Sequence, residues 1–300
     1  MEQFKSGFGA IIGRTNVGKS TLLNAIVKEK VAIVASKPQT TRTAIRAIVN
    51  RKNSQIIFID TPGIHKPKSK LGQILNETAF QSLLDVDFIL FLIEADSKEI
   101  GKGDNIILEK LKVARKNVIL VINKIDLIKK QELLELIEKY KNSYDFKAVL
   151  PISAINNKGI DELLEEIEKL LPEGPAYYDK EEYTDQTMRQ LAEEIVREKA
   201  LKLLQDEVPH GIYVEISKMK KRKTREKEKI YDVEAIIYCQ RDSHKGIIIG
   251  KNGAMLKRIG SYARQDLEKM FETKINLQLW VKVKENWQED ENIIKRFKTD

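Results

Sequence analysis

The sequence predicts two folded domains of different class: an α/β domain with a mostly parallel sheet and helices on both faces, then an α+β domain. Three observations carry that reading. As far as Leu171, short apolar runs of strand length alternate with amphipathic helical stretches, the grammar of parallel strands joined through helices. Residues 172–185 (PEGPAYYDKEEYTD) interrupt it with two prolines, a glycine and an acidic cluster, the composition of a linker. Beyond them the order of elements becomes α-β-β-α-α-β, so the second half is a new fold and not a repeat of the first. A chain of 300 residues is ample for two cores at roughly 100–200 residues each. The expected organisation is a first domain at 1–172, a linker at 173–185, a second domain at 186–284 and a tail at 285–300.

In the first domain, strands are expected at 8–12, 44–49, 55–60, 88–94, 117–123 and 148–151, and helices at 20–27, 71–84, 102–114, 130–141 and 159–171. The strands at 44–49 and 55–60, joined by the polar run RKNS, read as a hairpin, which makes one edge strand antiparallel. In the second domain a helix at 187–206 precedes strands near 212–218 and 230–240. Two short helices then flank 250–253, and a strand at 274–284 closes the domain. The longest apolar run, 88–93, has the length of a buried strand and falls far short of the ~20 residues that span a bilayer. The N-terminus lacks a basic-then-apolar leader pattern. The single cysteine, Cys239, lies in an apolar run. Both observations fit the cytosol, and Cys239 reads as core, not as a nucleophile.

Directly after the first strand comes Gly13-Arg14-Thr15-Asn16-Val17-Gly18-Lys19-Ser20, the G-x-x-x-x-G-K-[ST] phosphate loop. Its glycines let backbone N–H groups close on phosphate at a helix N-terminus. Lys19 reaches the β- and γ-phosphates, and Ser20, followed by Thr21, offers Mg²⁺ a hydroxyl. Asp60-Thr61-Pro62-Gly63 ends another strand, where Asp60 holds Mg²⁺ through water and the Gly63 N–H meets the γ-phosphate. Between the two, the run QTTRT offers Thr41 as a further Mg²⁺ ligand, with Thr40 the neighbouring option. The expected metal set is Ser20, Thr41 and Asp60. Ile64 follows, where Ras-like enzymes use a Gln to orient water. An isoleucine cannot do this, so slow intrinsic turnover is expected. Arg42 reads as an arginine finger or, more simply, as a surface arginine.

Two further segments select the base. Asn123-Lys124-Ile125-Asp126 resembles the guanine-reading signature of GTPases: the Asp126 carboxylate accepts both the ring N–H and the exocyclic amine of guanine, a pair of donors adenine lacks. Ser153-Ala154 resembles the loop whose backbone N–H meets the guanine carbonyl. All of these segments lie at carboxyl ends of strands, where open α/β sheets bind ligands. The expected cofactors are GTP or GDP with Mg²⁺. The expected reaction is GTP hydrolysis, carried by Lys19, Thr41, Asp60, Gly63 and Asn16. Asn16 resembles the residue that supports a K⁺ ion in some GTPases lacking the Gln.

The net charge of +8 is concentrated in the second domain. Residues 218–229 hold eight basic and two acidic side chains, and residues 241–264 hold six basic and one acidic, an electrostatic footprint for nucleic acid. Gly250-Lys251-Asn252-Gly253 lies between two helices in a domain framed by three strands and resembles the GxxG loop of a type II KH domain. There the loop backbone clamps about four nucleotides of single-stranded nucleic acid. The candidate RNA contacts are Lys221, Arg222 and Lys223 in the hairpin loop, Ile248 and Ile249 on the groove floor, Gly250 to Gly253 (with Lys251 and Asn252 between), and Lys257 and Arg258.

Taken in order, GRTNVGKS, QTTRT, DTPGIHKPKSKLG, NKID, SA and IIGKNG resemble the Era family, in which a Ras-like P-loop GTPase domain precedes a type II KH domain. The resemblance covers essentially residues 5–285. It implies a monomeric GTP-dependent factor in small ribosomal subunit assembly that binds single-stranded rRNA at the 3′ end of 16S rRNA. It also implies a cytoplasmic protein in peripheral contact with the inner face of the cell membrane. Two other readings are a GTPase acting on another RNA such as tRNA, and an RNA-binding module with a vestigial nucleotide domain. Intact Lys19, Ser20, Thr41 and Asp60 oppose the second.

Overall fold

The computed structural model of the chain describes residues 3–35, 37, 40–42, 45–64, 69–97, 99–223 and 229–297. They form two compact units, one built on Thr41–Asp185 with the N-terminal stretch through Ala32, the other on Gln186–Ile293 with Ile33–Thr40.

The first unit carries a six-stranded sheet in the order β2-β3-β1-β4-β5-β6. Its strands are β1 (Lys5–Ile12), β2 (Ile45–Asn50), β3 (Ser54–Asp60), β4 (Phe88–Glu94), β5 (Asn117–Asn123) and β6 (Ala148–Pro151). Only β2 runs antiparallel to its neighbour, β3. The central strands are unbroken apolar runs because both faces of the sheet are covered. Side-chain alternation sends Ile11 to one core with α1 (Lys19–Val27) and α5 (Ile160–Leu170). It sends Ala10 and Ile12 to the other core, with α2 (Lys70–Gln81), α3 (Lys102–Ala114) and α4 (Lys130–Lys141). The strand order reverses at β1, so the loop that follows it opens at the switch point where such sheets bind ligands.

Residues 173–185, read from the sequence as a linker, lie along this unit. Glu173 bridges Lys5 and Thr184 bridges Ala47, and Ile48 N–H donates to the Tyr183 carbonyl at 3.0 Å. Gln55 Oε1 accepts from the Tyr177 and Tyr178 N–H groups at 2.7 and 3.0 Å. The segment thereby covers the free edge of β2, which would otherwise present unpaired backbone groups.

The second unit follows the order α6 (Met188–Leu203), β7 (Tyr213–Lys223), β8 (Lys229–Cys239), α7 (Asp242–Ile249), α8 (Ala254–Met270), β9 (Lys274–Val283). The sheet runs β7-β8-β9, antiparallel then parallel. Two expectations need correction. The helix after the glycine loop is 17 residues long, not short, because Ile259, Ala263 and Leu267 repeat at helical spacing and reach the core. The basic hairpin is mostly strand: Lys221, Arg222 and Lys223 belong to β7, and the loop that remains, 224–228, lies outside the described residues. Cys239 is fully buried, as core. Trp287, in the expected tail, is fully buried, donates Nε1–H to the Gly211 carbonyl at 2.9 Å and packs its ring against Tyr213. Among the described residues no helix is long and apolar enough to cross a membrane.

Candidate functional site

The phosphate loop closes on itself. Gly18 has φ 99° as the residue capping α1, a left-handed conformation that a side chain disfavours, and a Cβ there would lie 2.3 Å from Asn123 Nδ2. Gly13 is equally confined: its Cβ would meet the Leu92 carbonyl at 2.4 Å. Lys19 is 6% exposed, and its ammonium donates to the carbonyls of Arg14 at 3.0 Å and Gly13 at 3.3 Å. A Cβ on Gly63 would come within 3.1 Å of that ammonium, so the DTPG backbone reaches the place where Lys19 reaches. Asn16 lies on the exposed rim of the loop with φ 67°.

The three expected metal ligands converge. Ser20 Oγ lies 3.0 Å from Thr41 Oγ1, and both hydroxyls donate to Asp60 Oδ2 at 3.2 Å. The other carboxylate oxygen, Asp60 Oδ1, is buried with no hydrogen-bond partner among the described residues. Burial pushes the Asp60 carboxyl up to about 6, against the pull of Lys19 and of the Ser20 and Thr41 hydrogen bonds. Burial likewise draws the Lys19 ammonium down to about 8, against Asp60. Two buried groups of opposite charge, each displaced toward neutrality, mark a site prepared for a polyanion and a cation. The orphaned oxygen and two hydroxyls are a hard-oxygen set that fits Mg²⁺.

The structure separates Thr40 from Thr41. Thr40 Oγ1 donates to the carbonyls of Lys37 and Ala35, and it is Thr41 that joins Ser20 and Asp60. Arg42 is 2% exposed and so is not the surface arginine expected. Ile64 is 5% exposed, its N–H donates to the Gly13 carbonyl at 3.2 Å, and its side chain offers water nothing. Thr61, fully buried, donates to the Ile11 carbonyl at 2.7 Å and locks the DTPG turn to β1.

The loops that begin at Asn123 and Ser153 are tied to the Gly13–Ser20 loop through Asn123. Its amide donates to the Val17 carbonyl at 2.9 Å and accepts from the Ala154 N–H at 3.0 Å. The Ala154 N–H thus donates to Asn123, and the Ser153 N–H donates to the Lys158 carbonyl at 3.0 Å. The Ser153 hydroxyl donates to Asp126 Oδ1 at 2.5 Å and aims an exposed carboxylate.

In the second unit Gly250 and Gly253 have φ 71° and 76°, and a Cβ on Gly250 would meet that of Met255 at 2.8 Å. Lys251, Asn252, Lys257 and Arg258 are exposed around them. Ile248 is fully buried in the core and cannot touch a bound base. Helical spacing turns its neighbour Ile247 outward, 50% exposed, and leaves Ile249 half-buried. A bulge at Ser217 shifts the β7 register, so Met219, Lys221 and Lys223 share the helix-covered face of the sheet. Lys221 lies over the Tyr231 ring on that face. Arg222 points to the opposite face, paired with Asp232 at 2.6 Å.

Two residues carried no motif. On α6, Arg197 and Glu198 are 2% and 1% exposed. Arg197 donates to the Thr40 carbonyl, and Glu198 accepts from the Val34 N–H at 3.1 Å. Their trace in the sequence is a charged pair at inward positions of an otherwise apolar stripe, with Glu194 and Lys202 at helical spacing to pair them.

Residues 8–124 match the family described as 50S ribosome-binding GTPase, and residues 207–288 match the KH domain. Over 98% of its length the chain is 53% identical to the GTPase Era of Thermoanaerobacter sp. (strain X514), 96% of which is covered. The chain belongs to the Era family of GTPases. Era of Clostridioides difficile (strain 630) is likewise 53% identical, with 98% of each chain covered. Among solved structures, Era in complex with MgGDPNP and nucleotides 1506–1542 of 16S ribosomal RNA is 41% identical, with a TM-score of 0.93 and 98% of each chain covered. A point variant of Aquifex aeolicus Era bound to GDP and aluminium fluoride is 40% identical, with a TM-score of 0.93 and 98% and 99% covered. Both Era structures share the two-unit architecture, a Ras-like GTPase domain followed by a KH domain.

Proposed function

We propose that this Era-family GTPase hydrolyses GTP to GDP at the Lys19–Asp60 site and uses its KH domain to bind single-stranded RNA at the 3′ end of 16S rRNA during small-subunit assembly. The observation that supports it best is the presence, on one chain, of two prepared anion sites of different build: a buried phosphate and cation site, and an exposed glycine-gated groove. Lys19 holds the β- and γ-phosphates, Asp126 reads the guanine edge, and Ser20, Thr41 and Asp60 hold Mg²⁺. The metal, when bound, neutralises charge developing on the phosphates. Ile64 has no polar atom to place water, which leaves that task to backbone groups near Gly63 or to a cation. Asn16, on the exposed rim, is the residue that would support a K⁺ ion, which would add positive charge beside the phosphates. Equal hydrolysis rates in KCl and NaCl would remove the K⁺ role.

The nucleotide acts on RNA binding through Thr40 and Thr41. Thr40 is held by Arg197 on α6, while the next residue, Thr41, closes on Asp60. A γ-phosphate that orders Thr41 therefore pulls on a segment anchored to the KH unit, a loop-ordering switch. The protein works in the cytoplasm as a monomer, and its basic hairpin is the surface for any peripheral contact with anionic lipid.

The test is binding of a short single-stranded RNA copied from the 16S 3′ end, against a scrambled oligonucleotide, across a salt titration. The proposal expects sequence preference that survives at high salt, beside Mg²⁺-dependent GTP hydrolysis. Binding that ignores sequence and vanishes with salt leaves only phosphate attraction and overturns the RNA assignment.

A further inference from the structure

We infer that Glu94 and Asp104 are positioning residues for guanine-nucleotide binding, which hold the phosphate loop and the base-reading loop in register by gripping Arg14 and Lys124 together. The inference rests on the guanine-nucleotide reading of the site and adds to it two carboxylates outside every motif. Glu94, the last residue of β4, accepts from Lys124 Nζ through Oε2 at 2.6 Å and faces Arg14 Nη2 with Oε1 at 3.5 Å. One half-buried carboxylate is thus shared by the lysine of NKID and the first variable residue of the phosphate loop.

Arg14 is seated on its other side as well. Its Nε lies 3.1 Å from Asp104 Oδ1, and its Nη2 donates to Ser97 Oγ at 2.8 Å. Asp104 is fully buried in the first turn of α3. Burial pushes its carboxyl above the ordinary range, against Arg14 and the hydroxyl of Tyr140. A buried carboxylate of this kind requires its cation partner. The helix is cut away to admit the arginine: a Cβ on Gly103 would lie 2.9 Å from Arg14 Cδ.

What Arg14 carries makes this more than a surface pairing. Its backbone bridges Ile64, and its carbonyl is one of the two that hold Lys19. Fixing the Arg14 side chain therefore fixes the acceptor that aims Lys19, and fixing Lys124 fixes the turn that presents Asp126 two residues on. Glu94 joins the two effects, so the phosphate end and the base end of the nucleotide are not recognised independently.

The experiment is a double-mutant cycle on GDP affinity and release with Arg14→Gln and Lys124→Gln, repeated in a Glu94→Gln background. The two substitutions should be non-additive by about fivefold with Glu94 present and additive without it. Glu94→Gln alone should raise the GDP Kd and the KM for GTP about tenfold while leaving kcat at saturating GTP within about twofold, and Glu94→Asp should restore part of the affinity. Asp104→Asn and the near-isosteric Tyr140→Phe probe the seat of Arg14, with melting curves to confirm folding. Additive effects in both backgrounds, or a kcat that falls as far as KM rises, overturn the inference. If wild-type protein binds no GDP at all, it is the nucleotide reading that fails instead.

Discussion

The two units present their charged groups by opposite means. In the first, the ionisable groups are buried and held by one another. Lys19 is 6% exposed and Asp60 fully buried, and Asn123 joins the phosphate loop to the Ser153–Ala154 loop. In the second, the cations stand in solvent around two glycines whose left-handed φ bares the backbone. A buried, pre-organised site strengthens each electrostatic contact and punishes a wrong partner with an unpaired group. An exposed groove relies on many weak contacts and is screened by salt. The first suits one small ligand read atom by atom, the second a flexible polymer.

Breaking the first site at its most specific atom should produce the largest effect. Asp126→Asn should weaken GTP about 10³-fold and favour the xanthine nucleotide, whose base presents a carbonyl where guanine has its amine. Competition binding with the two nucleotides measures it, and unchanged preference would remove Asp126 from base reading. In the second unit, Lys251→Asp with Asn252→Asp should cost RNA affinity about 100-fold by adding charge beside the phosphates. GDP affinity should be untouched, which a fluorescence titration checks directly.

Finer substitutions sharpen the contrast. Ile248→Ala should cost about 2–5 kcal/mol of stability, as for other buried isoleucines, whereas Ile247→Ala should leave the melting temperature nearly unchanged and weaken RNA binding. Chemical denaturation beside an RNA titration separates the two. Lys221→Ala and Lys223→Ala should each weaken RNA binding about threefold and flatten its salt dependence, while Arg222→Ala, on the other face and paired with Asp232, should do neither. The smallest effect is a proton count. Asp60 must be ionised to hold a cation, and burial holds its carboxyl up near 6, so Mg²⁺ binding should release protons at pH 6 and few at pH 7, still below the range near 8 where Lys19 titrates. Calorimetry in buffers of different ionisation heat reads the difference, and equal release at both would contradict the raised carboxyl.

The convergence of the first site was legible because its motifs place their side chains at spacings fixed by a strand, a turn and a helix start. Ser20, Asp60 and Thr41 meet as the pattern implies. The pattern could not show that Ala154 spends its N–H on Asn123, because that depends on how β5 and β6 end side by side. In the KH unit the glycine loop could be read, but the surroundings could not. A one-residue bulge at Ser217 decides that Lys221 and Lys223 share the helix-covered face and Arg222 the other, and a one-residue step on α7 decides that Ile247, not Ile248, is outside. Charge composition is blind to both. The roles of Arg197 and Glu198 were hidden for another reason. In the sequence they read as ordinary helix ion pairs, Arg197 with Glu194 and Glu198 with Lys202, and their further partners are the backbone of residues 34 and 40, which leaves no side-chain signature.

The central claim is that the two sites communicate, and RNA affinity in defined nucleotide states tests it most directly. The 16S 3′-end oligonucleotide should be titrated against protein saturated with a non-hydrolysable GTP analogue and Mg²⁺, with GDP and Mg²⁺, or left without nucleotide. The account predicts binding about tenfold tighter in the GTP-analogue state, a difference abolished by Arg197→Ala. Equal affinity in all three states would contradict it, leaving a GTPase and an RNA-binding domain that share a chain and nothing more.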